Sequence, residues 1–107
     1  MTGLVSCAMV TKQRLNVLPR AVAWFQRQSY PDRELIVVND ADDGTKEYLA
    51  ALRDKRIVYI RPEQACLGEL RNVAVTHARG TYLAQWDDDD WYHPDRLALQ
   101  VMTSSTY

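Results

Sequence analysis

The chain has 107 residues, 47% of them hydrophobic and 25% charged, with a formal net charge of -1; a chain of this order buries roughly two thirds of the surface it exposes when unfolded, enough for one core. The slightly acidic balance, with no dense Lys/Arg stripe interleaved with aromatics, argues against a nucleic-acid partner, although residues 1–31 hold no Asp or Glu and carry Lys12, Arg14, Arg20 and Arg27. No apolar stretch is long enough to cross a membrane and no signal-peptide pattern opens the chain, so the expectation is a soluble, cytoplasmic protein.

Leu4-Val5-Ser6-Cys7-Ala8-Met9-Val10-Thr11 reads as a first strand that leaves through the polar Lys12-Gln13-Arg14. A helix follows. Asn16 is its candidate N-cap, Leu18, Ala21, Val22 and Phe25 recur at i, i+3, i+4 and i+7, and Tyr30-Pro31-Asp32 ends it. Leu35-Ile36-Val37-Val38 is an uninterrupted apolar run of the kind found in a central parallel strand. It runs into Asn39-Asp40-Ala41-Asp42-Asp43, where Asp42 and Asp43 are expected as N-cap and first-turn residues of a second helix over about 46–53, with a substrate role as the alternative. A third strand is predicted at 57–60, a third helix near 67–78, and a fourth, buried strand in Gly80-Thr81-Tyr82-Leu83-Ala84-Gln85-Trp86. Pro94 suits the first position of a last helix, with Asp95 in its first turn and Leu97, Leu99, Val101 and Met102 expected in apolar contacts. Cys7 and Cys66 are expected to be reduced packing residues, since neither lies in a metal-ligand spacing. The alternation implies an α/β fold with a doubly wound, mostly parallel sheet.

Directly after the fourth strand stand Asp87, Asp88, Asp89 and Asp90. Adjacent carboxylates held by a folded frame raise one another's pKa unless water or a cation compensates. An all-oxygen set, with no His or Cys companions, favours a hard ion such as Mg²⁺, Mn²⁺ or Ca²⁺ over zinc. A solvated acidic loop is the alternative. Position weighs for the ion, because ligands of open α/β sheets bind at the carboxyl ends of strands, where the second strand also delivers Asp40.

These residues resemble the family 2 inverting glycosyltransferases. Thr11-Lys12-Gln13-Arg14 holds the place of the Thr-Tyr-Asn-Arg that ends the family's first strand, with Lys12-Gln13 where Tyr-Asn is usual. Gln28-Ser29-Tyr30-Pro31 is similar to its Gln-Thr-Tyr-Pro, and Val37-Val38-Asn39-Asp40 to its Val-Val-Asp-Asp. Leu67-Gly68-Glu69-Leu70-Arg71-Asn72 resembles the Gly-x-x-x-Arg-Asn helix start, and the acidic run with Tyr92, Pro94 and Leu97 resembles the Asp-x-Asp-Asp (DXD) segment and its helix.

The resemblance implies the GT-A fold's Rossmann-like nucleotide-binding half, filling residues 1–107 as one nucleotide-sugar-binding domain without the acceptor-binding second half. It implies that Thr11, Lys12, Gln13 and Arg14 line the base pocket and that Asp40 accepts a hydrogen bond from the base. Asp87 and Asp88 would lie near the ribose and sugar, Arg71 near the donor, and Asp89 would be the direct ligand of Mg²⁺ or Mn²⁺. The implied partners are a nucleotide-sugar donor, by preference a UDP-sugar, and an unspecified hydroxyl acceptor, with a homodimer as a further hypothesis. No residue is assigned as the catalytic base, because in the family it belongs to the second half.

Other readings stay open at several residues. Arg71 would equally pair with Glu69 or a strand-end carboxylate, Asn72 with a neighbouring loop, and Trp86 and Trp91 would pack. His77 and His93 read as surface or capping residues. At the level of function, the alternative is a non-catalytic nucleotide- or metal-binding module or an inactive fragment. A sugar-nucleotide pyrophosphorylase ranks last, since the loop after the first strand has no glycine.

Overall fold

The computed structural model describes residues 3–11, 16, 18–39, 44–61, 67–86 and 93–104, and of residues 67–69, 71 and 102–104 it describes the backbone only. The elements alternate as β1 (Val5–Thr11), α1 (Leu18–Gln26), β2 (Arg33–Asn39), α2 (Thr45–Leu52), β3 (Ile57–Ile60), α3 (Leu67–His77), β4 (Tyr82–Gln85) and α4 (Arg96–Ser104). The strands form one four-stranded sheet in the order β3-β2-β1-β4. All three pairings are parallel, as the predicted doubly wound fold requires.

The period of two along β1 sends its residues into two cores. Val5, Cys7 and Met9 join Leu35, Val37, Ala84 and Trp86 under α1, α2 and α4, which contribute Leu18, Val22, Phe25, Leu49, Leu97 and Val101. On the other face, Leu70 and Ala74 of α3 pack on Ile36 and Val38, with Ala8, Val10 and Ile60 alongside. β2, covered on both faces, is buried at every position. That double burial is why its sequence is apolar without alternation. Burial pushes the Cys7 thiol up to about 12, which keeps it protonated and inert, the packing role expected of it.

Four expectations need correction. The fourth strand is an outer strand in which only Ala84 is buried, while Leu83 is 47% exposed; its apolar composition reflects side chains facing outward as well as in. Leu99 is 53% exposed, because on α4 it stands away from the face that buries Leu97 and Val101. The N-cap of α2 is Gly44, at φ 90°, with no side-chain cap bond, so glycine holds the position expected of an aspartate, and Asp42 and Asp43 lie outside the described residues. A left-handed φ of this kind is readily reached only without a Cβ. The last helix also begins at Arg96, two residues after Pro94, which instead stands in the preceding turn.

Candidate functional site at the carboxyl edge of the sheet

The parallel register aligns the strand ends. Thr11 pairs with Asn39, so β1 and β2 finish level, and both residues are buried. Ile60 pairs with Val38, one residue short of that rim. β4 ends lower, with Gln85 opposite Ala8, so β1 extends past it by Met9, Val10 and Thr11, about 10 Å at the rise of a strand. Of the sequence-predicted site residues, Thr11 stands on this rim. The backbone of Arg71 belongs to α3, which packs on the β1 and β2 face. Lys12, Gln13, Arg14, Asp40, Asp87, Asp88 and Asp89 lie outside the described residues. The rim nevertheless fixes where each of these segments begins, since Lys12 follows Thr11, Asp40 follows Asn39, and Asp87 follows Trp86.

Trp86 and His93, which flank residues 87–92, are fastened to α1 and to the turn that follows it, respectively. On the entry side, the Trp86 backbone N–H donates to Ala8 O at 2.9 Å, and its indole Nε1–H donates to Ala21 O at 3.0 Å. The indole is fully buried, meets Phe25 edge-to-face at 6.3 Å, and carries the Arg96 guanidinium over its ring at 5.5 Å. This confirms the packing role read for Trp86. On the exit side, the Gln28 amide Nε2 donates to His93 O at 2.8 Å and Trp24 O at 3.2 Å, while Oε1 accepts the Leu97 N–H at 3.0 Å. The Ser29 N–H donates to Pro94 O at 2.7 Å, and its hydroxyl donates to Asp95 Oδ1 at 2.6 Å. Tyr30 completes the motif by exchanging hydrogen bonds with the Gly3 backbone. The Gln-Ser-Tyr-Pro stretch, read from the sequence as the end of a helix, is thus the chain's fastening strip, a role no local periodicity reveals.

The platform itself is braced by Arg33. Its guanidinium donates to Phe25 O at 2.9 Å, Gln26 O at 2.9 Å and Tyr30 O at 2.7 Å, tying the last carbonyls of α1 to the turn that follows it; Phe25 O also accepts the Gln28 N–H at 3.2 Å. His93 is exposed, and its Nδ1 accepts the Asp95 N–H at 3.1 Å, the surface capping role expected of it. His77, also exposed, bonds Val73 O from the same helix at 2.9 Å. No group of three His, Cys, Asp or Glu able to hold a metal occurs among the described residues.

Two polar assemblies lie away from the rim. At the amino end of the sheet, Glu34 is 2% exposed and accepts the Ser6 hydroxyl at 2.6 Å, the Arg79 N–H at 2.9 Å and the Arg79 guanidinium at 3.0 Å. Burial alone would raise its carboxyl, but these donors outweigh it and hold Glu34 below the usual carboxylate range. Asp54 is held well below that range by hydrogen bonds from Arg56. A groove of about 480 Å³ runs along α2 and β3 between Lys46, Leu49, Arg53 and Tyr59, and no sequence-predicted site residue lines it.

Residues 6–104 match the family model described as Glycosyl transferase family 2. The chain belongs to that family. WcaA of Escherichia coli (strain K12), a glycosyl transferase named for colanic acid biosynthesis, is 36% identical over 102 residues, covering 90% of this chain and 36% of WcaA. EpsH of Bacillus subtilis (strain 168), a glycosyltransferase by name, is 37% identical over 85 residues, covering 75% of this chain and 24% of EpsH. This family 2 chain therefore spans about a third or less of the length of these relatives. Staphylococcus aureus TarS residues 1–349, in complex with UDP-GlcNAc, superposes with a TM-score of 0.82 at 21% identity, covering 95% of this chain and 31% of that one. The mannosyltransferase PcManGT of Pyrobaculum calidifontis, in complex with GDP-Man and Mn²⁺, does so with a TM-score of 0.81 at 24% identity, covering 94% and 32%. These likenesses establish the GT-A nucleotide-binding half as the fold of this family 2 chain.

Proposed function

We propose that this chain is the donor-binding part of a glycosyltransferase that moves a sugar from a nucleoside diphosphate sugar to a hydroxyl acceptor, with inversion. The observation that carries the reading is the rim register: Thr11 and Asn39 end level at the carboxyl edge of the sheet, the edge at which β4 also ends, lower, before the acidic run, and each immediately precedes residues this chemistry needs. Family membership supports transfer of a glycosyl group, and the structural neighbours were captured with UDP-GlcNAc and with GDP-Man and Mn²⁺.

In this reading the base sits against Thr11, Lys12, Gln13 and Arg14, with Asp40 accepting its N–H, and Asp87 and Asp88 face the ribose and sugar. Arg71 adds a positive charge near the diphosphate. The oxygen-only donor set fits a hard cation, so Asp89 is the proposed ligand of Mg²⁺ or Mn²⁺. When bound, such an ion neutralises the diphosphate and assists its departure as a Lewis acid. Inversion needs a base on the acceptor side, and none is assigned among the described residues.

The test is calorimetric titration of UDP and GDP with and without Mn²⁺, on wild type and Asp89→Ala. Metal-dependent binding of one nucleotide, weakened by about tenfold or more in the variant, is expected. Binding indifferent to both metal and Asp89 would refute the metal assignment. A folded wild type that binds neither nucleotide would leave a fragment with family ancestry and no donor site.

A further inference from the structure

The groove along α2 and β3 combines an apolar floor with a rim of one sign. Lys46, Leu49 and Ala50 share a face of α2 at i, i+3 and i+4, and Arg53 closes that helix on the same wall. Ile57 and Tyr59, alternate residues of β3, form the facing wall. Leu49 is buried and Ile57 and Tyr59 are half-buried, whereas Lys46, Arg53 and Lys55 stand exposed around them. Asp54, the carboxylate in this lining, is already engaged by the Arg56 guanidinium at 2.8 Å and the Gln26 amide at 3.3 Å. No ion pair engages Lys46, Arg53 or Lys55 among the described residues, so three cations face one groove in a chain of net charge -1. Arg53 also keeps a backbone that side chains disfavour. As the C-cap of α2 it lies at φ 53°, ψ 34°, the left-handed region usually given to glycine at helix ends. A guanidinium held where glycine would be more stable gives up stability for a charge at the mouth of the groove.

We infer that this groove docks an extended, acidic segment of a partner polypeptide, whose carboxylates meet Lys46, Arg53 and Lys55 while its apolar side chains rest on Leu49, Ile57 and Tyr59. The inference goes beyond the proposed donor site and shares no residue with it. Charge complementarity sets the sign of the occupant, and the recessed apolar floor sets its other half: a free phosphate would leave that floor unused. The space, about 480 Å³, lies within the range of ligand pockets. Its β3 wall is the outer strand of the sheet, and the four residues of β3 run for about 13 Å, a trough suited to an extended chain. A lipid surface fits less well, because membrane contact needs apolar side chains that project. The large exposed hydrophobics among the described residues are Val75, Leu83 and Leu99, on α3, β4 and α4, and none belongs to this face. Each exposed ion pair adds little affinity, so the cations select the partner and steer its approach while apolar burial holds it.

The experiment pans a displayed library of random peptides on the wild-type chain, with excess UDP present throughout, and titrates the most enriched peptide by fluorescence anisotropy. The same titration is run on Lys55→Glu, on Arg53→Gly and on Arg20→Glu, a charge reversal on α1 outside the groove. Enriched peptides are expected to combine Asp or Glu with Leu, Ile or Phe. Affinity should fall about fivefold to tenfold in Lys55→Glu and about twofold to fivefold in Arg53→Gly, with Arg20→Glu like wild type. Binding should also weaken with salt, as the screening length shrinks from about 10 Å at 0.1 M to about 3 Å at 1 M. Arg53→Gly should keep or raise the urea midpoint, since it relieves the left-handed backbone, so its loss of binding cannot come from unfolding. Should Lys55→Glu not fold, Arg53→Gly decides. No enrichment, enrichment without acidic residues, unchanged affinity in both groove variants, or an equal loss in Arg20→Glu overturns the inference. Sedimentation with vesicles of equal parts phosphatidylserine and phosphatidylcholine is the last arm: binding there that Lys55→Glu abolishes assigns the face to a membrane and overturns the polypeptide.

Discussion

Glu34 shows how a single buried charge is made tolerable at the end of the sheet opposite the proposed site. Its carboxylate accepts from the Ser6 hydroxyl and from both the backbone and the guanidinium of Arg79, and Ser6 Oγ in turn accepts the Gly80 N–H at 2.8 Å. Gly80 is required for that closeness, since a Cβ there would lie 2.5 Å from Leu4 O and 2.6 Å from Ser6 Oγ. The cluster ties β1, β2 and the α3–β4 connection together, so its loss is felt in the fold. Because the folded state holds Glu34 below its ordinary value of 4.5, the unfolded chain binds more protons in the acidic window. Its stabilisation is therefore complete above that value and disappears as pH falls through the lower folded value. Glu34→Gln should lower stability at pH 7 by about 1–3 kcal/mol. Its urea midpoint should also fall less steeply than that of wild type as pH drops from about 5 to 2. Asp54 contributes to the acid slope of both proteins, so the difference between the two curves isolates Glu34. Parallel curves would remove the carboxylate from this account.

At the scale of elements, α1 carries more of the architecture than its nine residues suggest. A helix this short is marginal alone, and its stability comes from what it is packed and bonded to. Arg33 covers Phe25 O and Gln26 O, and stacks on the Phe25 ring at 5.1 Å. Arg33→Lys keeps the charge but not the planar fork, so it should cost about 2 kcal/mol in urea unfolding. An unchanged midpoint would show that packing alone holds the helix end. Where elements are defined by local pattern, the sequence made them legible. The α1 stripe of Leu18, Ala21, Val22 and Phe25 is buried as its spacing predicts, and the Leu35-Ile36-Val37-Val38 run is the covered strand it resembles. Pattern failed where the outcome depends on what lies across the fold. Leu83 and Leu99 are as apolar as core residues, yet their exposure follows from an outer strand and an outward helix face that no local spacing distinguishes. The site divides the same way: strand ends such as Thr11 and Asn39 can be read from apolar runs giving way to polar residues, whereas Gln28 takes its meaning from partners 65 and 69 residues distant.

For the whole molecule, strength should be graded across the sheet. β1 and β2 are its two inner strands, each paired on both sides, and β2 lies between two apolar layers. β3 is only partly buried along its length, and β4 buries one residue of four. Local opening requires less free energy where fewer contacts are broken, so native-state hydrogen exchange should find its slowest amides in β1 and β2, at residues such as Met9, Val37 and Val38. The amides of β4 should exchange faster at the same pH, even though β4 leads directly to the acidic run. This gradient places the proposed base-binding edge on the firmest strands and the metal-binding segment after one of the weakest. At that segment's ends the sheet bond of the Trp86 N–H is supplemented by α1, through the Trp86 indole, and by Gln28 and Ser29 in the turn just after that helix. The Leu97 amide, donated to buried Gln28, should accordingly be more protected than the β4 amides beside it, and Gln28→Ala should erase that protection while leaving Val37 and Val38 slow. Equal protection of Leu97 in wild type and variant would mean that α4 is held by its apolar face alone, with the Gln28 bonds adding nothing to the order of the segment they close.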